Sequence, residues 1–584
     1  MMETLVLGID AGGTHTDAVL LSCASMAEGQ VLPTARLIAS AKVKTHHEDL
    51  PTSVREVLYA LEAQSSNGTF ANVSRVTLGA TLAVNALVQD CADPVGLALS
   101  AGPGLDPHRF ALGKHICVIP GGLDHRGVEV SPLRTEMLSQ AASQWHKDEV
   151  KAVACVSKFS PRNAIHEKTM GETVHKIAPD LPVTLGHRLS GRLNFPRRVA
   201  TAYFNAAVQR IHNAFLDAVE STLTDMGLHA AIRLLKADGG AVPLLLSRQE
   251  PVQSILSGPA ASVMGTLALC GDDTDIRQGC SLLLDMGGTT TDLALLVDGS
   301  PVVDRDGMLL KGRRTLVRSL ASLSIGIGGD SRLNVSTQNG AVCVHVGPLR
   351  EGPAMAFGGN RPTFLDACNV CNARDGMDAI AGNTTASASG IAILAAKHGL
   401  SPEKLAYLAM ENALIQVANA ARALTANVNA QPIYTLAALR AVREAHPKCV
   451  RLVGGPANCI AHRLSSLLAL PVATPPHADV ANAVGAALTI PTDTLDLYAD
   501  TGRRRLDVPA LELHELIGSN YRVENARERA CHLLYDRMVA AGVEDVHVEV
   551  TEADVFATLD ENGHGSRDMR VTCQVVPGIA ATLL

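Results

Sequence analysis

The chain has 584 residues, 47 % hydrophobic and 18 % charged, which leaves room for about three or four domains and excludes small disulfide-stapled scaffolds, disordered chains and coiled coils. Lysine and arginine number 50 against 58 aspartates and glutamates, a net charge of −8 with no basic stripe, so nucleic acid is excluded as a partner. Only 3 % of residues are aromatic while 49 are glycine, so packing rests on small and aliphatic side chains.

At the N-terminal end, Met1-Met2-Glu3 leads into the strand-like run Leu5-Val6-Leu7-Gly8-Ile9, which stops at Asp10 and is not built like a signal peptide. Further strands are predicted over 35–43, 75–78, 95–99 and 150–156, with a helix over 50–63 between the first two. A long helix over 198–223 separates a first domain from a second. In the second, strands are predicted over 281–284, 450–453 and 471–473, and helices over 402–427, 457–470 and 478–488. The longest uncharged stretch, 251–271, carries two prolines, three serines and three glycines, so no membrane span is expected. From Ile490 the chain turns polar, which places a boundary near 495 and gives domains 1–195, 196–495 and 496–584.

The 13 scattered cysteines read as reduced thiols of a cytoplasmic protein. One C-x-x-C, Cys368 and Cys371, lacks the second ligand pair that zinc requires. His46, His47 and His125 read as solvated or hydrogen-bonded residues rather than metal ligands.

Residues 10–21, DAGGTHTDAVLL, and 285–296, DMGGTTTDLALL, agree at eight of twelve positions across a separation of 275 residues. That spacing is far too long for a solenoid or propeller and points to two related α/β domains facing each other. The paired glycines Gly12-Gly13 and Gly287-Gly288 let the backbone bring its N–H groups against an anion. Thr14, Thr16, Thr289 and Thr290 add hydroxyl donors, and Asp10 and Asp285 at the strand ends are hard oxygen ligands suited to Mg2+. Asp17 and Asp292 are further carboxylates that could orient the loops or a water. One such turn could simply join two strands; two copies keeping the same aspartates and threonines read as a clamp on a polyphosphate. Neither copy is a P-loop or a GxGxxG element, and no HExxH or GxSxG is present to serve as a second catalytic centre.

Asp10 to Asp17 and Asp285 to Asp292 resemble the phosphate-1 and phosphate-2 loops of the actin, hexokinase and heat-shock-chaperone ATPase superfamily. Within it the chain resembles the hydantoinase/oxoprolinase family, the hydantoinase A subunit in particular. The matching pieces include Leu78-Gly79-Ala80-Thr81, Gly122 to Gly127, Leu256-Ser257-Gly258-Pro259-Ala260, Ser324 to Gly329 and Arg361-Pro362-Thr363. The resemblance implies two facing actin-like (ribonuclease H-like) ATPase domains with ATP and Mg2+ in the cleft between them, and a small C-terminal α+β module. It makes Gly328 and Gly329 part of the nucleotide site, Gly454 and Gly455 the adenosine-side loop, and 481–487 the hinge helix. It departs from the family's pattern at Asp330, which stands in a glycine triplet, and around Met355.

The implied chemistry is phosphorylation of the carbonyl oxygen of a cyclic amide (a hydantoin, 5-oxoproline or a lactam), with a B-type subunit completing ring opening. Rival readings are a subunit of an ATP-dependent carboxylase of the acetone or acetophenone type, a sugar-kinase-like enzyme, and an ATP-driven conformational protein. Self-association as a homo-oligomer is left open.

Overall fold

Apolar β-branched and leucine-rich runs on either side of each Gly-Gly-Thr turn favour extended backbone, and both copies of the repeat fold as an antiparallel strand pair. The computed structural model describes residues 3–584 except 25–31, 47–48, 66–67, 82–85, 88–90, 272, 305, 339–340, 378–380, 431–443, 544–545 and 560–562. In the first sheet Thr4–Ala11 pairs antiparallel with His15–Cys23, which pairs with Thr34–Lys44, while Val73–Ala80 and Ala231–Leu235 add parallel strands on the other side. The second sheet repeats this order: Cys280–Met286, Thr291–Val297 and Ser322–Ile325 are antiparallel, and Pro447–Val453 and Val472–Ala473 follow in parallel. This is the ribonuclease H-like strand order, present twice.

The helix expected over 198–223 runs as Phe195–Asp225. It does not stand between the two lobes. Its first half packs with the parallel sheet Val95–Ser100, His115–Val118, Ala152–Ser157 and Val183–Leu185, and its second half with the first repeat-bearing sheet. The first sheet also takes Ala231–Leu235, Ala241–Pro243 and Thr582–Leu583, so it extends past the cut expected at residue 195.

Two helices join the lobes. Ser257–Leu269 follows the first sheet in sequence and packs on the second, burying Ala260, Val263 and Met264 against Leu283, Ala294 and Leu296. Ala481–Leu488 follows the second sheet and packs on the first, burying Ala483, Val484 and Ala487 against Val6, Val19 and Leu21. They cross backbone to backbone: a Cβ on Gly265 would lie 1.9 Å from the Ala481 carbonyl oxygen, and one on Gly485 would lie 2.1 Å from that of Ala261.

The C-terminal module is α+β, as expected. Its antiparallel sheet runs Leu513–Leu516, Arg505–Val508, Thr494–Asp500, Gly565–Val575, Val548–Leu559, and helix Val523–Ala540 buries Ala526, Ala530, Leu534 and Met538 against it. It docks on the first lobe through Arg162, whose guanidinium forks onto Asp568 at 2.8 and 2.7 Å and lies 4.2 Å from the Tyr498 ring centre. Among the described residues no helix is long and apolar enough to cross a membrane.

Candidate functional site

The repeat in sequence is a repeat in hydrogen bonding. Asp10 pairs across the strands with Asp17 and Asp285 with Asp292. The turns close alike, with the Gly12 N–H donating to the His15 carbonyl at 3.1 Å and the Gly287 N–H to that of Thr290 at 2.9 Å. Beside each aspartate a glycine leaves room for the carboxylate: a Cβ on Gly79 would lie 2.7 Å from Asp10 Oδ1, and one on Gly454 would lie 2.7 Å from Asp285 Oδ1. The loops face each other, and their equivalent threonines meet, Thr14 Oγ1 to Thr289 Oγ1, at 3.2 Å.

Four carboxylates gather behind these turns. Asp10 is 4 % exposed, and its Oδ1 has no hydrogen-bond partner. Burial, then the charge of Asp17, pushes its carboxyl from 3.8 up to about 7, with Asp285 adding to the rise and a hydrogen bond from Asn482 opposing it. Burial likewise raises Asp285, against hydrogen bonds from Ser262 and Asn482. Asp292 is pushed up to about 7 by burial and by the charge of Asp285. Asp17 is raised by burial while Lys42 opposes, its Nζ lying 2.7 and 2.8 Å from the two carboxylate oxygens.

The second loop is braced from behind by residues 328–330: the Gly329 N–H donates to the Gly287 carbonyl at 2.9 Å and the Asp330 N–H to that of Gly288 at 2.7 Å. A Cβ on Gly288 would lie 2.9 Å from Asp330 Oδ2 and 3.2 Å from Thr14, whereas Gly13 and Gly455 have open space at that position. Gly454 has φ +96°, and Pro456 begins helix Ala457–Leu468 with its ring 3.0 Å from where a Gly329 Cβ would stand. The turns carrying Gly12, Gly13, Thr14, Gly287, Gly288 and Thr289 thus meet each other, and the segments carrying Gly328, Gly329, Gly454 and Gly455 pack against the second. Thr16 does not join them; its hydroxyl is buried against Thr45 at 3.0 Å, and its counterpart Thr291 donates to the Ile327 carbonyl at 2.6 Å.

Other expected positions lie elsewhere. Cys368 and Cys371 are buried in the apolar core of the second lobe, and among the described residues no group of three His, Cys, Asp or Glu side chains could hold a metal by itself. His46 sits on the surface beside Glu56, His125 is exposed, and His47 lies outside the described residues.

The sequence pattern does not reveal Ser262, Asn482, Lys42 or Arg350. Ser262 hydrogen-bonds Asp285 and lies 2.9 Å from Asn482 Oδ1, so each joining helix delivers one polar side chain to the carboxylates. The available signal is a lone asparagine in a run of alanine, valine and glycine. Arg350 ends the hairpin Ser331–Gln338, Ala341–Arg350 and binds Asp330 Oδ2 through Nε at 3.1 Å and Nη2 at 3.0 Å. His15, on the first loop, is held below its ordinary range by burial and by Lys42, with Asp330 opposing and Arg350 and Lys44 adding to the fall.

Fold and site define a two-lobed α/β chain of the ribonuclease H-like type with an equivalent Gly-Gly-Thr turn in each lobe. The Hydantoinase/oxoprolinase profile matches residues 198–493 and the Hydantoinase/oxoprolinase N-terminal region profile matches residues 6–178, and the chain belongs to this family. It is 25 % identical over 389 residues to the caprolactamase subunit alpha of Pseudomonas jessenii, covering 62 % of this chain and 53 % of that one. Its fold is similar to that of the ATP-dependent caprolactamase of Pseudomonas jessenii (TM-score 0.66, 19 % identity, covering 98 % of this chain and 87 % of that one). It is also similar to that of nucleotide-free acetone carboxylase (TM-score 0.67, 16 % identity, 99 % and 88 %). The chain spans about half the length, or less, of the curated relatives it matches.

Proposed function

We propose that this chain is an ATP-binding subunit that phosphorylates the carbonyl oxygen of a cyclic amide and so prepares the ring for opening. The observation that carries the reading is the pair of equivalent turns whose Thr14 and Thr289 hydroxyls meet at 3.2 Å. Each of these hydroxyls can exchange its threonine partner for a phosphate oxygen, and the neighbouring glycines leave the backbone open to the same anion.

The residues also suit Mg2+: Asp10 carries a buried oxygen without a hydrogen bond, and Asp285 lies close enough for the two charges to raise Asp10. Two carboxylates with water and phosphate oxygens satisfy this ion's octahedral preference. When bound there, Mg2+ would neutralise charge on the transferring phosphoryl group. In this reading Asp10 and Asp285 hold the ion, Asn482 and Ser262 fix the rotamers of those carboxylates, and Asp17 and Asp292 hold the strands behind the turns. Gly328, Gly329, Gly454 and Gly455 line the nucleoside side.

The cyclic-amide substrate is supported by the family and by the caprolactamase likeness. A lactam carbonyl is a poor electrophile because nitrogen donates into it. Transfer of the γ-phosphoryl group to its oxygen breaks the bond to the bridging oxygen of ADP, which leaves with the electron pair, and the resulting imidate is open to water. The relative is named as a subunit, which supports a B-type partner for that hydrolytic half. Fold likeness to acetone carboxylase supports a second reading, in which the activated group is carboxylated instead.

The test is to incubate the purified chain with ATP, Mg2+ and a panel of lactams, hydantoins and 5-oxoproline, following phosphate release and ring opening. Phosphate release stimulated by one ring compound, with opening restored by a co-expressed B-type subunit, supports the proposal. Stimulation by a ketone with bicarbonate and by no cyclic amide transfers it to the second reading.

A further inference from the structure

In the reading above a triphosphate lies in front of the turns backed by Asp10, Asp17, Asp285 and Asp292, and Asp330 stands against the second loop. Lys42 is held on Asp17. Asp330 stands against the second turn, with Oδ2 2.9 Å from the Cβ position of Gly288. Its backbone N–H holds the Gly288 carbonyl and its Oδ1 accepts the Ala354 N–H at 3.0 Å, so the carboxylate is pinned at the loop. Left uncompensated, it would repel an anion there.

Arg350 compensates it in an incomplete way. Nε and Nη2 both fall on the single oxygen Oδ2, not one on each oxygen as in a forked carboxylate pair, because Oδ1 is taken by Ala354. The guanidinium is at the end of a two-stranded hairpin and half-buried beside the loop. Resting on the deepening of the cleft reading above, we propose that Arg350 is the nucleotide's own cation: it is parked on Asp330 in the free chain and turns to the terminal phosphate when ATP binds. A phosphate offers the two-oxygen face that Asp330 does not, and a planar guanidinium matches it. Asp330 then has a purpose, since it keeps the arginine at the loop when no phosphate is there.

The test is calorimetric titration of the full chain with the β,γ-imido analogue of ATP and with ADP, each with Mg2+, for the parent, Arg350→Ala, Arg350→Lys and Asp330→Asn. Losing a charge-assisted bond to the terminal phosphate alone predicts about a ten- to hundredfold weaker analogue in Arg350→Ala, with ADP changed less than about threefold. Arg350→Lys should recover part of the loss. Asp330→Asn, which retains an oxygen for the Ala354 N–H, should tighten the analogue and leave ADP nearly unchanged. Equal losses for both nucleotides in Arg350→Ala, or no tightening in Asp330→Asn, overturn the proposal while the cleft reading stands. A parent chain that binds neither nucleotide overturns both.

Discussion

The two Gly-Gly-Thr turns share a backbone and differ in how their acids are balanced. At the first, Asp17 is ion-paired with Lys42 of the next strand; at the second, the equivalent Asp292 meets a hydroxyl, Ser324, and no cation raises its ionisation. The first turn has open space at Gly13, and the second is filled at Gly288 by Asp330 and Thr14. The two turns keep one backbone while their surroundings differ, which in the proposed reading separates what a bound anion requires from what each lobe requires.

The largest test of this symmetry is at the carboxylates that both turns keep. Asp10→Ala and Asp285→Ala are each expected to lower ATP turnover about a thousandfold without unfolding the chain, and the double variant should fall little further, because both serve one ion. Steady-state phosphate release checks this; full additivity would mean that the two act separately.

Next come the glycines. Gly288→Val should weaken nucleotide binding about a hundredfold by driving a side chain into Asp330 and Thr14. Gly288→Ala should destabilise by about 1–3 kcal/mol, whereas Gly13→Ala, with nothing within 4 Å, should unfold at the parental denaturant midpoint.

The cation supplies the third difference. Lys42→Met leaves Asp17 buried without its partner and should lower stability by about 1–3 kcal/mol, an effect reduced by the 38 % exposure of the lysine side chain. Ser324→Ala, at the matching place in the second lobe, should have a smaller effect in the same denaturation assay.

The smallest effect expected is on pH dependence. Asp10 and Asp292 titrate in the folded chain near 7 rather than 3.8, so each contributes stability that is complete below about pH 4 and is lost as pH rises through 7. Thermal midpoints of the nucleotide-free chain should therefore carry a component that falls across that window. Asp292→Asn should remove the second lobe's share and leave that of Asp10; an unchanged slope would show that Asp292 is already ionised.

How much of this was legible in the sequence follows from what each residue is for. The turns, their aspartates and the repeat were readable because backbone approach to an anion restricts residue type at fixed spacing. The long helices at 195–225 and 402–429 were readable from period and length. Helix Ser257–Leu269 was not, since Gly258, Pro259 and Gly265 are poor helix formers whose place is explained only by the crossing partner that needs a bare backbone. Asn482 and Ser262 stand 220 residues apart and meet only because the two joining helices cross. Arg350 ends the hairpin Ser331–Gln338, Ala341–Arg350, and nothing in the local sequence tells that its side chain reaches Asp330.

The glycine-on-glycine crossing of those helices also has a thermodynamic consequence. Where Gly265 meets Ala481 and Gly485 meets Ala261, main chain touches main chain. A change of crossing angle there locks or frees no rotamers at the contact itself, so the side-chain entropy that usually opposes the ordering of an interface is nearly absent. In the proposed reading, the free energy of a bound phosphate would then go to bringing Asp10 and Asp285 together rather than to ordering the joint that carries them.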